Sequence, residues 1–407
     1  MTQNSTLTLI HANIYAENGR IPNGYISITN DKISAIGPMD DYVPVSSETV
    51  LDVKGKTIVP GMIDVHIHGA AGADVMDATP EALDKMAVFL AKEGTTCFLA
   101  TTITQAPERI EKALRNVADY MEHHQSAGKA ECIGVHLEGP FIHAKRKGAQ
   151  PLEFILKPEV ERFKKWQAIA RGQIRLVTLA PEEPGGYELT AYLKETGVIA
   201  SIGHSDATYD QVIKGIEAGV GHVTHLFNGM RGFHHREPGV AGAAMLCKDL
   251  NVEMIVDGIH IDPRSVKLAY QQITSDRILL ITDAMRAKCM KQGSYDLGGQ
   301  KVTVTGRDAR LDDGTLAGSI LKMKDAAKNM MEYTGCSMEE VIRMTALNAA
   351  KELNIADRKG SVRVGKDADL VVLNRDFDVC LTICRGEFAY QKNTGGMNDA
   401  TGSCTKL

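Results

Sequence analysis

Histidines and carboxylates recur along the 407-residue chain, each just after a short apolar run. His66 and His68 stand two apart in Val65-His-Ile-His68, and Glu138 closes His136-Leu-Glu138. His204 falls in Ile202-Gly-His-Ser-Asp206, His225 in Val223-Thr-His-Leu-Phe-Asn228, Asp257 and His260 in one further segment, and Asp283 after Ile281-Thr282. Imidazole nitrogens and carboxylate oxygens are the donors that a hydrolytic Zn²⁺ or Fe²⁺ site uses. Each piece alone has an ordinary structural explanation. An HxH pair puts two rings on one face of any strand, Glu138 can cap a helix or pair with a cation, His204 and His225 can be hydrogen-bonded core residues, and Asp283 can cap the following helix. Their joint placement favours a metal site, because every one of them sits where a strand is expected to end.

Those strands are expected to end near Ile67, Thr102, Leu137, Leu179, Ile202, Thr224, Val256 and Thr282, with an amphipathic helix after most of them. Thr79 caps the first such helix and Pro80 suits its first turn; Leu83, Met86, Ala87 and Leu90 share one face, and Gly94 ends it. Ser337-Met-Glu-Glu340 is a capping box opening a late helix that buries Ile342, Ala346, Ala349 and Leu353. Eight βα units predict an α/β chain with a (β/α)8 TIM-type barrel over residues 59–357. Barrel active sites assemble at the C-terminal strand ends, so the residues above converge on one mouth.

The two ends of the chain read as β structure. Tyr25–Thr29 and Lys32–Ile36 flank a turn at Asn30-Asp31, and Leu51 to Ile58 continues the pattern. Residues 360–365, Ala368–Leu373 and Val379–Ile383, with a turn at Arg385-Gly386, repeat it. A small β-sandwich built from residues 1–58 and 358–392 is expected, followed by a flexible Gly/Thr/Ser-rich tail over 393–407.

With 46 Lys+Arg against 51 Asp+Glu, the net charge of −5 offers no footprint for nucleic acid or an anionic membrane. No apolar run approaches the roughly 20 residues of a membrane span, and the N-terminus lacks the secretory pattern. Eight cysteines without a CxxC pair read as reduced thiols of a cytoplasmic protein. Gly69-Ala-Ala-Gly72 lacks the GxGxxG spacing of a dinucleotide loop. His123-His124 read as solvated helix residues, His234-His235 as loop residues at the entrance or without a role, and Cys380 and Cys384 as core.

Pro60-Gly-Met-Ile-Asp-Val-His-Ile-His68 resembles the opening of amidohydrolase-superfamily enzymes. His136-Leu-Glu-Gly-Pro140, Gly203-His-Ser-Asp206, Thr224-His-Leu-Phe-Asn-Gly-Met230, Arg236-Glu-Pro-Gly239 and Thr282-Asp-Ala-Met285 narrow the likeness to the deacetylases of phosphorylated amino sugars, over residues 7 to 392. The resemblance implies the same barrel and terminal sheet, a homodimer, and hydrolysis of N-acetyl-D-glucosamine 6-phosphate in amino-sugar catabolism and cell-wall precursor recycling. It implies that Glu138, His204 and His225 hold a hydrolytic divalent metal, and that His66 and His68 hold a second with Glu138 bridging. Asp283 is implied as general base and then acid.

The resemblance assigns Arg236 and His260 to the 6-phosphate, with Arg236 reaching across a dimer interface. From its residue type alone, Arg236 is either a planar fork for phosphate oxygens or a structural residue, the ion-pair partner of Glu237 or part of an interface. Ala149, Gln150, Asn228, Gly229, Leu316, Ala317 and Gly318 are the implied sugar-binding positions. Many relatives carry histidine where Gln150 falls; glutamine donates a hydrogen bond but does not titrate near neutrality. Rivals are an N-acetylgalactosamine 6-phosphate deacetylase, a cyclic-amide hydrolase, and a silent scaffold. Cyclic-amide hydrolases usually bridge their metals with a lysine, absent from Leu179-Ala-Pro-Glu182, and a scaffold is expected to have lost ligands.

Overall fold

A buried carboxylate joins the two ends of the barrel. In the computed structural model, which describes residues 6–45 and 48–392, eight parallel strands run in chain order: Met62–Ile67, Thr95–Thr102, Glu131–Glu138, Ile174–Leu179, Ile199–Ile202, Val220–Val223, Asn251–Ile255 and Ile278–Ile281. They match the eight expected strand ends to within about a residue. Between the first and eighth strands the ladder is incomplete, and Asp64 spans the seam. Its carboxylate accepts from Thr282 Oγ1 at 2.5 Å, and from the Thr282 and His66 amides at 3.3 Å each. The Asp283 amide donates to the His66 carbonyl and the His68 amide to the Ala284 carbonyl. A fully buried carboxylate is tolerated only when satisfied in this way.

The helix Pro80–Ala91 is capped by Thr79 and buries Leu83, Met86, Ala87 and Leu90 as expected. The late helix departs from expectation. Ser337 does form the capping box, but a π-turn over Arg343–Leu347 inserts extra backbone into the helix. Val341 rather than Ile342 therefore points into the barrel core, while Ala346, Ala349 and Leu353 are buried. A three-stranded antiparallel sheet, Gly293–Leu297, Gln300–Thr305 and Asp308–Arg310, stands between the eighth strand and the helix Met323–Thr334. Nothing in the sequence reading anticipated this insert.

Both chain ends meet in one eight-stranded sheet. Leu370–Leu373 pairs antiparallel with Thr57–Pro60, which pairs with Thr6–Ala16 and so leads to the hairpin Gly19–Thr29/Lys32–Pro38. The sheet folds over a core that includes Leu9, Ile14, Ile26, Ile28, Ile58, Leu370 and Ile383. The hairpin turns where expected, with Asn30 at φ 56°. Two expectations shift. Leu51–Ile58 is not one strand, because Lys54 and Gly55 turn left-handed (φ 54° and 74°) between Glu48–Asp52 and Thr57–Pro60. Residues 360–365 form turns with a single bridge, Ala16 to Val362, because the buried side chains of Lys359 and Lys366 draw this stretch into ion pairs. The tail expected from 393 lies outside the described residues.

Candidate metal centre and its cavity

Six side chains reach one mouth because the strand ends put them there. His66 and His68 alternate onto one face of the first strand, Glu138 ends the third, and His204, His225 and Asp283 lie just beyond the fifth, sixth and eighth. His204, His225 and Asp283 hold φ of 47°, 30° and 47°. Left-handed backbone at a non-glycine residue carries strain, and three such residues at one rim mark a constrained site. Gly229 makes room: a Cβ there would lie 2.9 Å from His204 Nδ1.

Glu138 is the hub. His204 Nε2 and His225 Nε2 each lie 3.2 Å from its Oε1 and 3.2 Å from each other. His68 Nε2 lies 3.2 Å from Oε2, and His66 Nε2 3.5 Å from Oε1. Asp283 Oδ1 stands 3.2 Å from His68 Nε2 and 3.4 Å from His66 Nε2. The outer nitrogens of three rings are already used. His204 Nδ1 meets the Arg146 carbonyl at 2.8 Å, His225 Nδ1 the Asn228 carbonyl at 3.1 Å, and His66 Nδ1 the Glu253 carboxylate at 2.9 Å. With Nδ1 as donor, a neutral ring turns its Nε2 lone pair inward. Lone pairs of His204 and His225 then face one another and a carboxylate oxygen, an arrangement that repels unless a cation sits among them. His66 Nε2 is a buried polar atom with no hydrogen-bond partner, as a ligand atom would be. The donor set therefore fits divalent metal, in two groups at the mouth, Glu138, His204, His225 and His66, His68, Asp283, with a third, His66, His136 and Glu253, fully buried. Burial opposes ionisation of Glu138, yet positive charge among the surrounding imidazoles, at His66 foremost and in the place a metal ion would supply it, holds its carboxyl well below the usual range. Burial likewise opposes ionisation of Asp283, and His66 and His68 draw its pKa below the ordinary value.

The centre opens into a cavity of about 380 Å³, a small-molecule size, lined by His68, Glu138, His204, His225 and Asp283 and by Ala149, Gln150, Asn228, Gly229, His260, Leu316 and Gly318, with His66 buried behind them. Of the sequence-predicted substrate residues, two are not on its wall. Ala317 is buried in the core behind it, and Arg236 is exposed on a loop, its guanidinium 2.8 Å from His235 Nε2. Arg236 does not pair with Glu237, whose carboxylate caps the Tyr209 and Gly239 amides. Gln150 touches the hub: its amide donates to Glu138 Oε2 at 2.7 Å and accepts from the Thr104 amide at 2.8 Å. Both ends of Gln150 are thereby engaged in holding the hub carboxylate. His260 is oriented by Asp257, which receives its Nδ1 at 2.7 Å and its backbone amide at 2.8 Å.

Sequence reasoning missed three sets of residues. Asp206 clamps the loops carrying Arg146 and Arg231, receiving Arg146 Nε at 2.8 Å, Lys145 Nζ at 3.1 Å and Arg231 at 3.1 Å. Glu182 holds the same corner through Ser205 Oγ and the Asp206 amide. Arg310, Thr315 and Leu297 of the insert line the cavity; a lone arginine between two short strands gave no signal. Glu253, between Val252 and Met254 in Asn251–Ile255, is a carboxylate within a core strand and could have been flagged on that ground. The residues read as structural stay so: His123 and His124 are exposed, His234 and His235 lie on the outer loop, and Cys380 and Cys384 are buried in the sheet. Among the described residues no helix is long and apolar enough to cross a membrane.

Residues 57–389 match the sequence profile of the amidohydrolase family. The chain is 51% identical to the N-acetylglucosamine-6-phosphate deacetylase of Bacillus subtilis over 93% of its length and 95% of that protein. It is 36% identical to an N-acetylgalactosamine-6-phosphate deacetylase of Escherichia coli O157:H7, over 92% and 97%. Among solved structures, it resembles an aspartate-to-alanine mutant of the Mycobacterium smegmatis N-acetyl-D-glucosamine-6-phosphate deacetylase in complex with N-acetyl-D-glucosamine 6-phosphate, with a TM-score of 0.87, 30% identity, and 95% and 99% of the two chains covered.

Proposed function

The chain belongs to the amidohydrolase family, and from that premise we propose that it hydrolyses N-acetyl-D-glucosamine 6-phosphate to D-glucosamine 6-phosphate and acetate. The observation that carries the reading is the convergence of three inward-facing donors, Glu138, His204 and His225, within 4.8 Å of one another beside Asp283. The 51% identity to a deacetylase of that substrate favours glucosamine over the galactosamine relative at 36%.

Glu138, His204 and His225 would hold one ion, and His66 and His68, with Glu138, would hold a second. A set of nitrogen and carboxylate donors without sulfur suits zinc or ferrous iron. When bound, the metal polarises the acetyl oxygen and brings a water's pKa from about 15.7 toward 7. The chain's own groups do the rest. Asp283, ionised and on the cavity wall, takes a proton from the attacking water and returns it to the sugar nitrogen as the C–N bond breaks. Gln150 and the imidazoles fix the hub carboxylate so that this geometry does not drift. His260, oriented by Asp257, presents its ring to the cavity for a phosphate or sugar oxygen, and Asn228, Gly229 and the Leu316–Gly318 backbone frame the sugar. Arg236 lies off its own cavity and reaches the phosphate in a second copy of the chain, so the working unit is a homodimer of a cytoplasmic enzyme.

Acetate release tests this directly. We expect rapid release from N-acetylglucosamine 6-phosphate, slower release from the galactosamine epimer, little from either sugar without phosphate, and loss of all activity on prolonged chelation. Chelator-insensitive turnover, or equal rates without the phosphate, contradicts the reading. Arg236→Ala is expected to raise KM for the phosphosugar far more than for the bare sugar; equal effects on both remove its phosphate role.

A further inference from the structure

Behind the second metal group lies a buried chain of alternating acid and imidazole. His66 Nδ1 is 2.9 Å from Glu253 Oε2 and His222 Nδ1 2.7 Å from Glu352 Oε1, both hydrogen bonds, and between them Glu253 Oε1 and His222 Nε2 lie 3.1 Å apart as an ion pair without hydrogen-bond alignment. His66, Glu253 and His222 are at most 1% exposed and the Glu352 side chain 9%. The chain runs from the mouth through the sixth and seventh strands to the helix Asn348–Glu352, so it crosses the barrel wall. His136 stacks edge-on against the His66 ring at 4.5 Å and closes the remaining side.

We propose that Glu253 is a positioning residue for the ion held by His66 and His68, and that His222 and Glu352 hold Glu253 in register for that task. The inference rests on the two-ion reading above. The geometry has three consequences. A carboxylate on Nδ1 keeps the proton there, which leaves the His66 Nε2 lone pair for metal and makes that nitrogen a stronger donor. It fixes the ring plane, because a first-strand histidine could otherwise rotate about its last torsion. It also places negative charge behind a neutral ligand, which favours a divalent ion in front. Glu253 cannot do this unassisted, since an isolated buried carboxylate would take up a proton. His222 prevents that. Burial opposes charge on His222, but Glu352 and Glu253, one on each ring nitrogen, override it and push its pKa up to about 10. A purely structural ion cluster would explain the burial but gives no reason for its inner end to rest on the outer nitrogen of a ligand ring.

Stepwise metal binding separates the two explanations. The metal-stripped full chain and its Glu253→Gln and Glu352→Gln variants are titrated with Co²⁺, followed by visible absorption and by competition with a chromophoric chelator. The wild type is expected to take two equivalents. Glu253→Gln keeps the size of the side chain, and its amide oxygen can still accept the His225 amide, now 3.1 Å from the carboxylate. It is expected to bind the first equivalent as wild type does and the second about 10–100-fold more weakly. Glu352→Gln, remote from both ions, is expected to shift only the second equivalent, by less. A second equivalent unchanged in Glu253→Gln, or both equivalents weakened alike in both variants, overturns the inference while leaving the two-ion reading intact. A wild type that takes only one equivalent overturns both.

Discussion

Asp283→Asn is expected to lower kcat about 10²–10⁴-fold while the protein keeps the ion held by Glu138, His204 and His225. Asparagine has the shape of aspartate and is one of the few residues at ease in left-handed backbone, which Asp283 adopts at φ 47°. The substitution therefore leaves the rim in place and removes only the ability to take and return a proton. Amide hydrolysis needs that proton twice, off the water as it attacks and onto the nitrogen as it leaves, because an unprotonated amine anion is a very poor leaving group. An interaction made only on the way to the transition state should lower kcat and kcat/KM together and leave KM little changed. Asp283 Oδ1 also lies within 3.4 Å of His66 and His68, so the second equivalent of metal is measured alongside turnover. Activity within tenfold of wild type, at full metal content, would falsify the general-base role.

The fold was legible where local chemistry and hydrophobic period agree. Thr79-Pro80 with the stripe Leu83, Met86, Ala87 and Leu90 encodes a helix start, a face and a length at once. The eight strand ends were legible because each apolar run stops at a polar residue that must leave the core. The candidate metal group was legible for the same reason, as all but one of these polar residues stand at or just beyond a strand's last residue and His66 is one position before it. What failed had no local signature. The π-turn at Arg343–Leu347 arises from how that helix packs, and no residue within it announces an inserted position. The insert strands Gly293–Leu297, Gln300–Thr305 and Asp308–Arg310 are short and half exposed, so their pattern is indistinct. Residues 360–365 have the alternation of a strand, yet the ion pairs of Lys359 and Lys366 outweigh it. Glu253 and Gln150 hydrogen-bond His66 and Glu138 from 187 and 12 positions away, and Arg236 lies off the cavity wall; none of these relations has a sequence spacing to read.

The largest expected loss of stability comes from Lys359→Met. The Lys359 ammonium is about 1% exposed and lies 2.5 Å from Asp369, 2.8 Å from Asp367 and 2.8 Å from Glu131. Glu131 begins the third barrel strand while the two aspartates lead into the terminal sheet, so one cation ties the two layers together. Arg358 shares Glu131 and Asp367, and Lys32 of the first hairpin adds a further contact to Asp367 at 2.5 Å. Removing Lys359 leaves Asp369, which is 7% exposed, without its cation. Breaking a buried pair by removing one partner costs about 3–5 kcal/mol, far more than an exposed pair is worth. The methionine fills the space of the lysine stem, so the loss reports charge rather than a cavity. Burial works against ionised Asp367, but Lys359, Lys32 and Arg358 lower its pKa to about 2 from the ordinary 3.8. A depressed acid stabilises the fold above its unfolded value and loses that contribution as pH falls from about 3.8 through 2. Wild type should therefore lose stability across that interval, and Lys359→Met should lose less there because its Asp367 is less depressed. Adding Asp369→Asn to Lys359→Met should recover part of the loss, since the orphaned charge is then gone. Denaturant midpoints of the three proteins decide the matter, and a Lys359→Met midpoint equal to wild type would show that the cluster is replaceable by apolar packing.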